Sequence, residues 1–227
     1  YHDLFRNEEA PVLSCTASQA RDESNATYGN RKAECERILI NSGRSYAILR
    51  PALVFGPYDT TDRMYYWLNQ VKKQDRILVP MKGKMLFSAT YVRDLVKSIT
   101  VSLNADQESS VYNVITVPDI SIVKIINQAA LTLNKQPTIK SAGEAFLKRH
   151  DIEPWFDLPL WIKNNENTYS NAKMVQDLNV DLTPFDEALK STILYYESLK
   201  WPEPTFGIRT EKANQLLGLL DGSGDSE

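Results

Sequence analysis

Three short apolar runs constrain this chain most: Tyr46-Ala47-Ile48-Leu49-Arg50, Ile77-Leu78-Val79 and Val111-Tyr112-Asn113-Val114-Ile115. Each is too short for a core helix and is rich in aliphatic, β-branched or aromatic residues, as buried strands are. Between them lie helix-length stretches with apolar residues at three- and four-residue spacing. Strands alternating with helices bury a sheet between helical layers, so the expected fold class is α/β. Tyr28, Lys32, Cys35 and Leu39 mark one stripe of a helix running from Tyr28 to about Ile40, and Asn41-Ser42-Gly43 ends it with a glycine near C′. Further helices are expected over 64–73, over 95–103 behind an Asp94 N-cap, over 122–133 behind Ser121, over 171–178 behind Ser170, over 185–199 and near 211–220. Leu95, Ile99 and Leu103 would form the buried face of the second of these. Residues 1–27 read as loop and turns, and 222–227 as a frayed end.

Charge and rare residues exclude several function classes. With 26 Lys and Arg against 29 Asp and Glu, and no dense basic cluster, neither nucleic acid nor an anionic membrane is an expected partner. No apolar run approaches the length of a membrane span. Cys15 and Cys35 give no disulfide framework, and His2 and His150 furnish neither a His-based metal site nor a triad. There is no signal-peptide pattern, and the expected compartment is the cytoplasm. The opening Tyr1–Pro11 reads like the middle of a longer protein. None of the nine glycines builds a G-x-G-x-x-G or a G-x-x-x-x-G-K-[ST] pattern, so a nucleotide-binding reading must draw its phosphate loop from outside these residues.

Tyr28-Gly29-Asn30-Arg31-Lys32 carries the chemistry. Residues at i and i+4 of a helix stand one above the other and can reach a common point. A free phenol, with a pKa of about 10, is a poor base at neutral pH. An ammonium ~4 Å away at an effective dielectric of ~20 favours the phenolate by roughly 4 kcal/mol before solvation costs, which suits proton abstraction from an alcohol. Other polar residues have simpler readings. Asp94 caps a helix, Asn113 satisfies a neighbouring loop, and Glu34, Glu36 and Arg37 form a solvated helix face. Trp155, Phe156 and Trp161 pack a subdomain or form an aromatic wall.

Tyr28-x-x-x-Lys32 is followed in order by Tyr46-Ala47-Ile48-Leu49-Arg50-Pro51-Ala52-Leu53-Val54-Phe55-Gly56-Pro57, by Phe87-Ser88-Ala89-Thr90-Tyr91-Val92-Arg93-Asp94-Leu95 and by Val111-Tyr112-Asn113-Val114. This ordered set resembles the extended short-chain dehydrogenase/reductase family, the NAD-dependent epimerase/dehydratase group, from Tyr1 to about Leu199. The resemblance implies the C-terminal part of a Rossmann-like doubly wound parallel sheet plus a small mixed α/β substrate-binding subdomain. Residues 1–56 would be the second half of the dinucleotide-binding domain, 57–204 the substrate region and final sheet elements, and 205–227 a partly flexible extension.

The resemblance also implies roles. Tyr28 would be the catalytic acid/base, and Lys32 would hold the nicotinamide ribose. Pro51, Ala52, Leu53 and Val54 would border the nicotinamide of NAD or NADP. Arg63, Phe87 and Tyr91 would contact a small, nucleotide-linked or other substrate. Tyr1 matches the tyrosine that follows the strand bearing the family's catalytic Ser or Thr, which would place that hydroxyl upstream. Phe87 stands where sugar-nucleotide enzymes of the family commonly carry a diphosphate-binding Arg; Arg63, Lys82 and Lys84 are the available substitutes. The whole enzyme would be a homodimer. The alternative is a non-catalytic binding or redox-sensing relative of the same fold.

Overall fold

The computed structural model describes residues 5–104, 109–162 and 167–223; Tyr1 and His2 lie outside them. The elements are α1 (Ala17–Arg21), α2 (Tyr28–Ile40), β1 (Ala47–Pro51), β2 (Leu53–Phe55), α3 (Arg63–Lys73), β3 (Arg76–Pro80), β4 (Phe87–Tyr91) and α4 (Val92–Asn104). There follow β5 (Ser110–Val114), β6 (Val117–Ile120), α5 (Ile122–Leu133), β7 (Thr138–Ala142), α6 (Glu144–Arg149), α7 (Ala172–Leu178), α8 (Phe185–Ser198) and α9 (Thr210–Ser223). The fold is α/β with parallel pairing, as expected. β1 runs parallel to β5 with Leu49 opposite Tyr112, β2 parallel to β4, and β3 parallel to β7. β6 adds to β4 antiparallel, with a register shift between Phe87 and Ala89. Among the described residues no helix is long and apolar enough to cross a membrane.

Most of the apolar interior is one cluster. Phe55, Trp67, Leu68, Ile77, Val79, Ile125, Leu147, Leu189 and Leu216 are fully or almost fully buried within it. These come from β2, α3, β3, α5, α6, α8 and α9, so the stretch 205–227, set apart in the sequence as an extension, supplies part of the main core. A smaller cluster, Tyr112, Val114, Met174, Leu178 and Val180, lies between β5 and α7.

The sequence expectations need four corrections. The N-terminal stretch is not all loop: Thr16 and Gln19 form a reciprocal capping box that starts α1. Asp94 is no N-cap, because α4 begins two residues before it and its carboxylate is buried inside the fold. Of the apolar face assigned to that helix, only Leu95 packs inward, half-buried against the smaller cluster. Leu103 and Ile99 are exposed, while Asp94 and Ser98 face inward, their polar groups satisfied by hydrogen bonds. Cys35 is likewise exposed, for in α2 only Ala33 is buried.

Four strands also escape the apolar-run signal. β4 is buried at all five positions, yet its sequence is Phe-Ser-Ala-Thr-Tyr. The Ser88 hydroxyl donates to the Pro118 carbonyl at 2.6 Å and the Thr90 hydroxyl to the Val114 carbonyl at 2.6 Å. Those bonds let polar side chains occupy a core strand.

One glycine holds the return of the chain against α3. Gly207 has φ +91, and a Cβ there would stand 2.2 Å from the Tyr66 ring. Gly207→Ala is expected to cost about 2–4 kcal/mol of stability, from left-handed strain plus overpacking; urea denaturation measures it.

Candidate active site

A cleft of about 1650 Å³ is lined by Tyr28 and Lys32 from α2, by the β1–β2 junction, and by the segments that follow β2 and α6. Several local devices set its shape. The Ala52 amide donates to the Thr90 hydroxyl oxygen at 3.0 Å, which fixes the junction Pro51-Ala52-Leu53 against β4. Arg37 and Asn30 donate to the carbonyls of Leu13 and Ser14, and Arg31 to that of Ser24, so the preceding chain is strapped along α2.

Glu36, one further turn along the Tyr28/Lys32 face, receives a two-pronged ion pair from Arg50 of β1, at 2.9 and 2.5 Å. Arg50 also donates to the Glu8 carbonyl, and the Glu8 carboxylate accepts from the Asn113 amide. Glu36 therefore does not belong to a solvated face: it ties the Tyr/Lys helix to the sheet. The signal available in sequence was a charged residue at the end of a run read as a buried strand, of which the structure buries only Ile48. Arg50→Gln is expected to lower stability by about 1–3 kcal/mol, since the pair is charge-assisted, bidentate and largely shielded. A thermal melt alongside Glu36→Gln, which should lose a similar amount without adding to it, checks the coupling.

Of the residues singled out in the sequence, Tyr28, Lys32, Pro51, Ala52, Leu53, Val54, Arg63 and Phe87 all line this one cleft. Phe87 is nevertheless almost wholly buried. Tyr91 does not line it; its ring is buried 5.5 Å from that of Phe55. Trp155, Phe156 and Trp161 line the cleft too, so the aromatic stretch forms wall as well as packing. Lys82 and Lys84 stand away from it on the exposed turn after β3.

Three phenols reach the cleft: Tyr28, Tyr58 and Tyr169. Tyr28 is 58% exposed and has the Lys32 ammonium one helical turn on; Tyr169 has Lys173 at the same spacing, but it precedes α7 and that ammonium is spent on the Ser110 hydroxyl and the Val111 carbonyl. Neither the Tyr28 hydroxyl nor the Lys32 ammonium is hydrogen-bonded or ion-paired to any described residue. The phenols of Tyr65, Tyr66 and Tyr196 serve packing instead. Burial pushes Tyr65 up to about 12 and raises the other two as well. Asp59, also in the cleft wall, is raised by burial, opposed by the hydrogen bonds it accepts from the Thr61 amide and hydroxyl.

Residues 7–114 match the family model described as the NAD dependent epimerase/dehydratase family. No curated protein matches the chain. Among solved structures it is similar to a UDP-glucuronic acid 4-epimerase from Bacillus cereus in complex with NAD (15% identity over 87% of this chain and 57% of that one, TM-score 0.63). It is similar also to a UDP-glucose 4-epimerase with UDP-glucose from Thermotoga maritima (18%, 77% and 54%, TM-score 0.59). A third is RMD from Pseudomonas aeruginosa complexed with NADPH (14%, 77% and 56%, TM-score 0.59). At these identities the likeness is one of fold. The chain spans little more than half the length of each.

Proposed function

We propose, because residues 7–114 match the model of the NAD dependent epimerase/dehydratase family, that the cleft is the nicotinamide and substrate end of an NAD(P)-dependent epimerase, dehydratase or reductase acting on a hydroxyl or keto carbon. The observation that carries this reading is the convergence of a free phenol, a free ammonium one turn on and the β1–β2 junction on one cleft. The residues fit the nicotinamide ribose. Lys32 offers an unpaired cation for its hydroxyls, and Pro51, Ala52, Leu53 and Val54 offer an apolar border broken by few polar atoms. The bound nicotinamide would accept or return a hydride.

The remaining work falls to side chains of this chain. Tyr28 takes the proton of the substrate hydroxyl or returns it, and Lys32 places a positive charge one helical turn away. Glu36 and Arg50 keep the helix bearing both in register with the sheet. The pyrophosphate-binding loop is not among these residues, so activity is a property of the whole protein. NAD and NADP remain equal candidates. The sugar-nucleotide complexes of the similar structures favour a nucleotide-linked substrate. Turnover of the whole protein carrying Tyr28→Phe or Lys32→Ala tests the reading; wild-type rates in both would overturn it in favour of a non-catalytic relative.

A further inference from the structure

Arg63 is held in a way that its position in the sequence does not foreshadow. Its guanidinium carbon lies 4.6 Å from the centre of the Trp155 ring and 5.0 Å from that of Phe206. Both rings come from segments whose backbone is tightly fixed. Trp155 sits at φ +71, a conformation that a bulky residue adopts only when its surroundings impose it. Those surroundings are the Glu153 amide donating to the Asp157 carboxylate and the Asp157 amide to the Glu153 carbonyl. The Phe206 loop is pinned at both ends. Thr205 donates through its amide and hydroxyl to Asp62, while the Gly207 and Ile208 amides donate to the carbonyls of Phe156 and Asp157.

The cation so gripped has no hydrogen bond or ion pair with any described residue, and its Nε is shut off from solvent. Asp59 is close enough to be felt electrostatically but makes no ion pair with it. A guanidinium normally uses its planar fork on an oxyanion, and stacking on aromatic faces leaves that fork edge free. The arrangement immobilises a cation in the wall of a cleft and leaves its donors unspent.

We propose that Arg63, clamped between Trp155 and Phe206, is the anchor for an oxyanion of the substrate, a phosphate or a carboxylate, and so a determinant of substrate specificity. Clamping lowers the entropy lost on binding, because the side chain is already ordered. The inference rests on the cleft being the substrate site but not on the Tyr28/Lys32 chemistry.

The test is calorimetric titration of the 227-residue chain with UDP, inorganic phosphate and glucuronate, with uridine and glucose as neutral counterparts. At least one anionic probe should bind wild type about tenfold or more tightly than its neutral parent, and Arg63→Gln should remove that margin. UDP or phosphate binding identifies a phosphate, and glucuronate binding a carboxylate. Phe206→Leu keeps the charge but opens the clamp, and should weaken the same probe by about threefold, a partial loss that a change in net charge cannot produce. Circular dichroism melts establish that each variant is folded. Equal anion affinity in wild type, Arg63→Gln and Phe206→Leu overturns the proposal, as does no binding of any anionic probe to wild type at about 10 mM. Tyr28→Phe should bind the anion normally. If the whole protein with Tyr28→Phe also turns over at the wild-type rate, the catalytic reading falls while the anion anchor stands.

Discussion

Replacing Asp94 with alanine lowers the unfolding free energy by about 3–5 kcal/mol, the largest loss expected from any single truncation outside the apolar core. The side chain is wholly buried, and both of its oxygens are used. Oδ1 accepts from the Thr183 hydroxyl at 2.8 Å and from Lys97 at 3.0 Å, while Oδ2 accepts from the Thr116 hydroxyl and the Thr183 amide, each at 3.0 Å. Thr116 in turn accepts from the Tyr91 amide at 2.9 Å. One carboxylate thus joins the first turn of α4, the β5–β6 connection and the approach to α8. Alanine leaves an amide and two hydroxyls buried or half-buried with no acceptor, and each such orphan costs about 1–3 kcal/mol. Lys97 is half exposed, so its share is small. Asp94→Asn keeps the shape but turns donors toward donors, and should lose somewhat less. Guanidinium denaturation of the three proteins measures this, and a loss under about 1 kcal/mol for alanine would remove Asp94 from the role.

In the whole protein, Tyr28→Phe should cut kcat by about 10²–10⁴-fold while leaving substrate and cofactor affinities nearly unchanged. Phenylalanine keeps the ring and deletes the hydroxyl proposed to move the proton. The exposed setting of Tyr28 on α2 makes a folding defect a poor alternative explanation. Lys32→Ala should lower kcat and also weaken nicotinamide cofactor binding, because one ammonium is asked to do two things. The contrast between the variants, rate alone against rate and affinity together, separates a proton-transfer residue from a binding one. A Tyr28→Phe enzyme retaining more than about a tenth of wild-type kcat would move attention to Tyr58 and Tyr169, the other phenols of the cleft.

How much could be read beforehand depended on whether a residue's partner lay nearby in sequence. α2, α3, α5, α8 and α9 were legible because their stripes or caps are local, as with Ser121, whose hydroxyl accepts from the Lys124 amide. Tyr28 and Lys32 were legible for the same reason, being one turn apart. β4 was not, since Ser88 and Thr90 find their acceptors on other segments, across the sheet. Asp94 looked like a cap because Asp near a helix start usually is one; its actual partners, Thr116 and Thr183, carry no pattern that links them to it. The clamp on Arg63 is assembled from rings far along the chain, and no spacing rule could bring Trp155 and Phe206 to one side chain.

The division of the apolar interior into a large cluster and a small one has a consequence for how the molecule breathes. Helix α2, which bears Tyr28 and Lys32, buries only Ala33, and β1 pairs with β5 beside the smaller cluster. Local opening follows the amount of apolar contact that must be undone. Amide hydrogens of α2, β1 and α7 should therefore exchange with solvent faster than those of α3, β3 and α5, and ligands seated in the cleft should slow the first group while leaving β3 and α5 unchanged. The part that bears Tyr28 and Lys32 is then the part whose order binding completes.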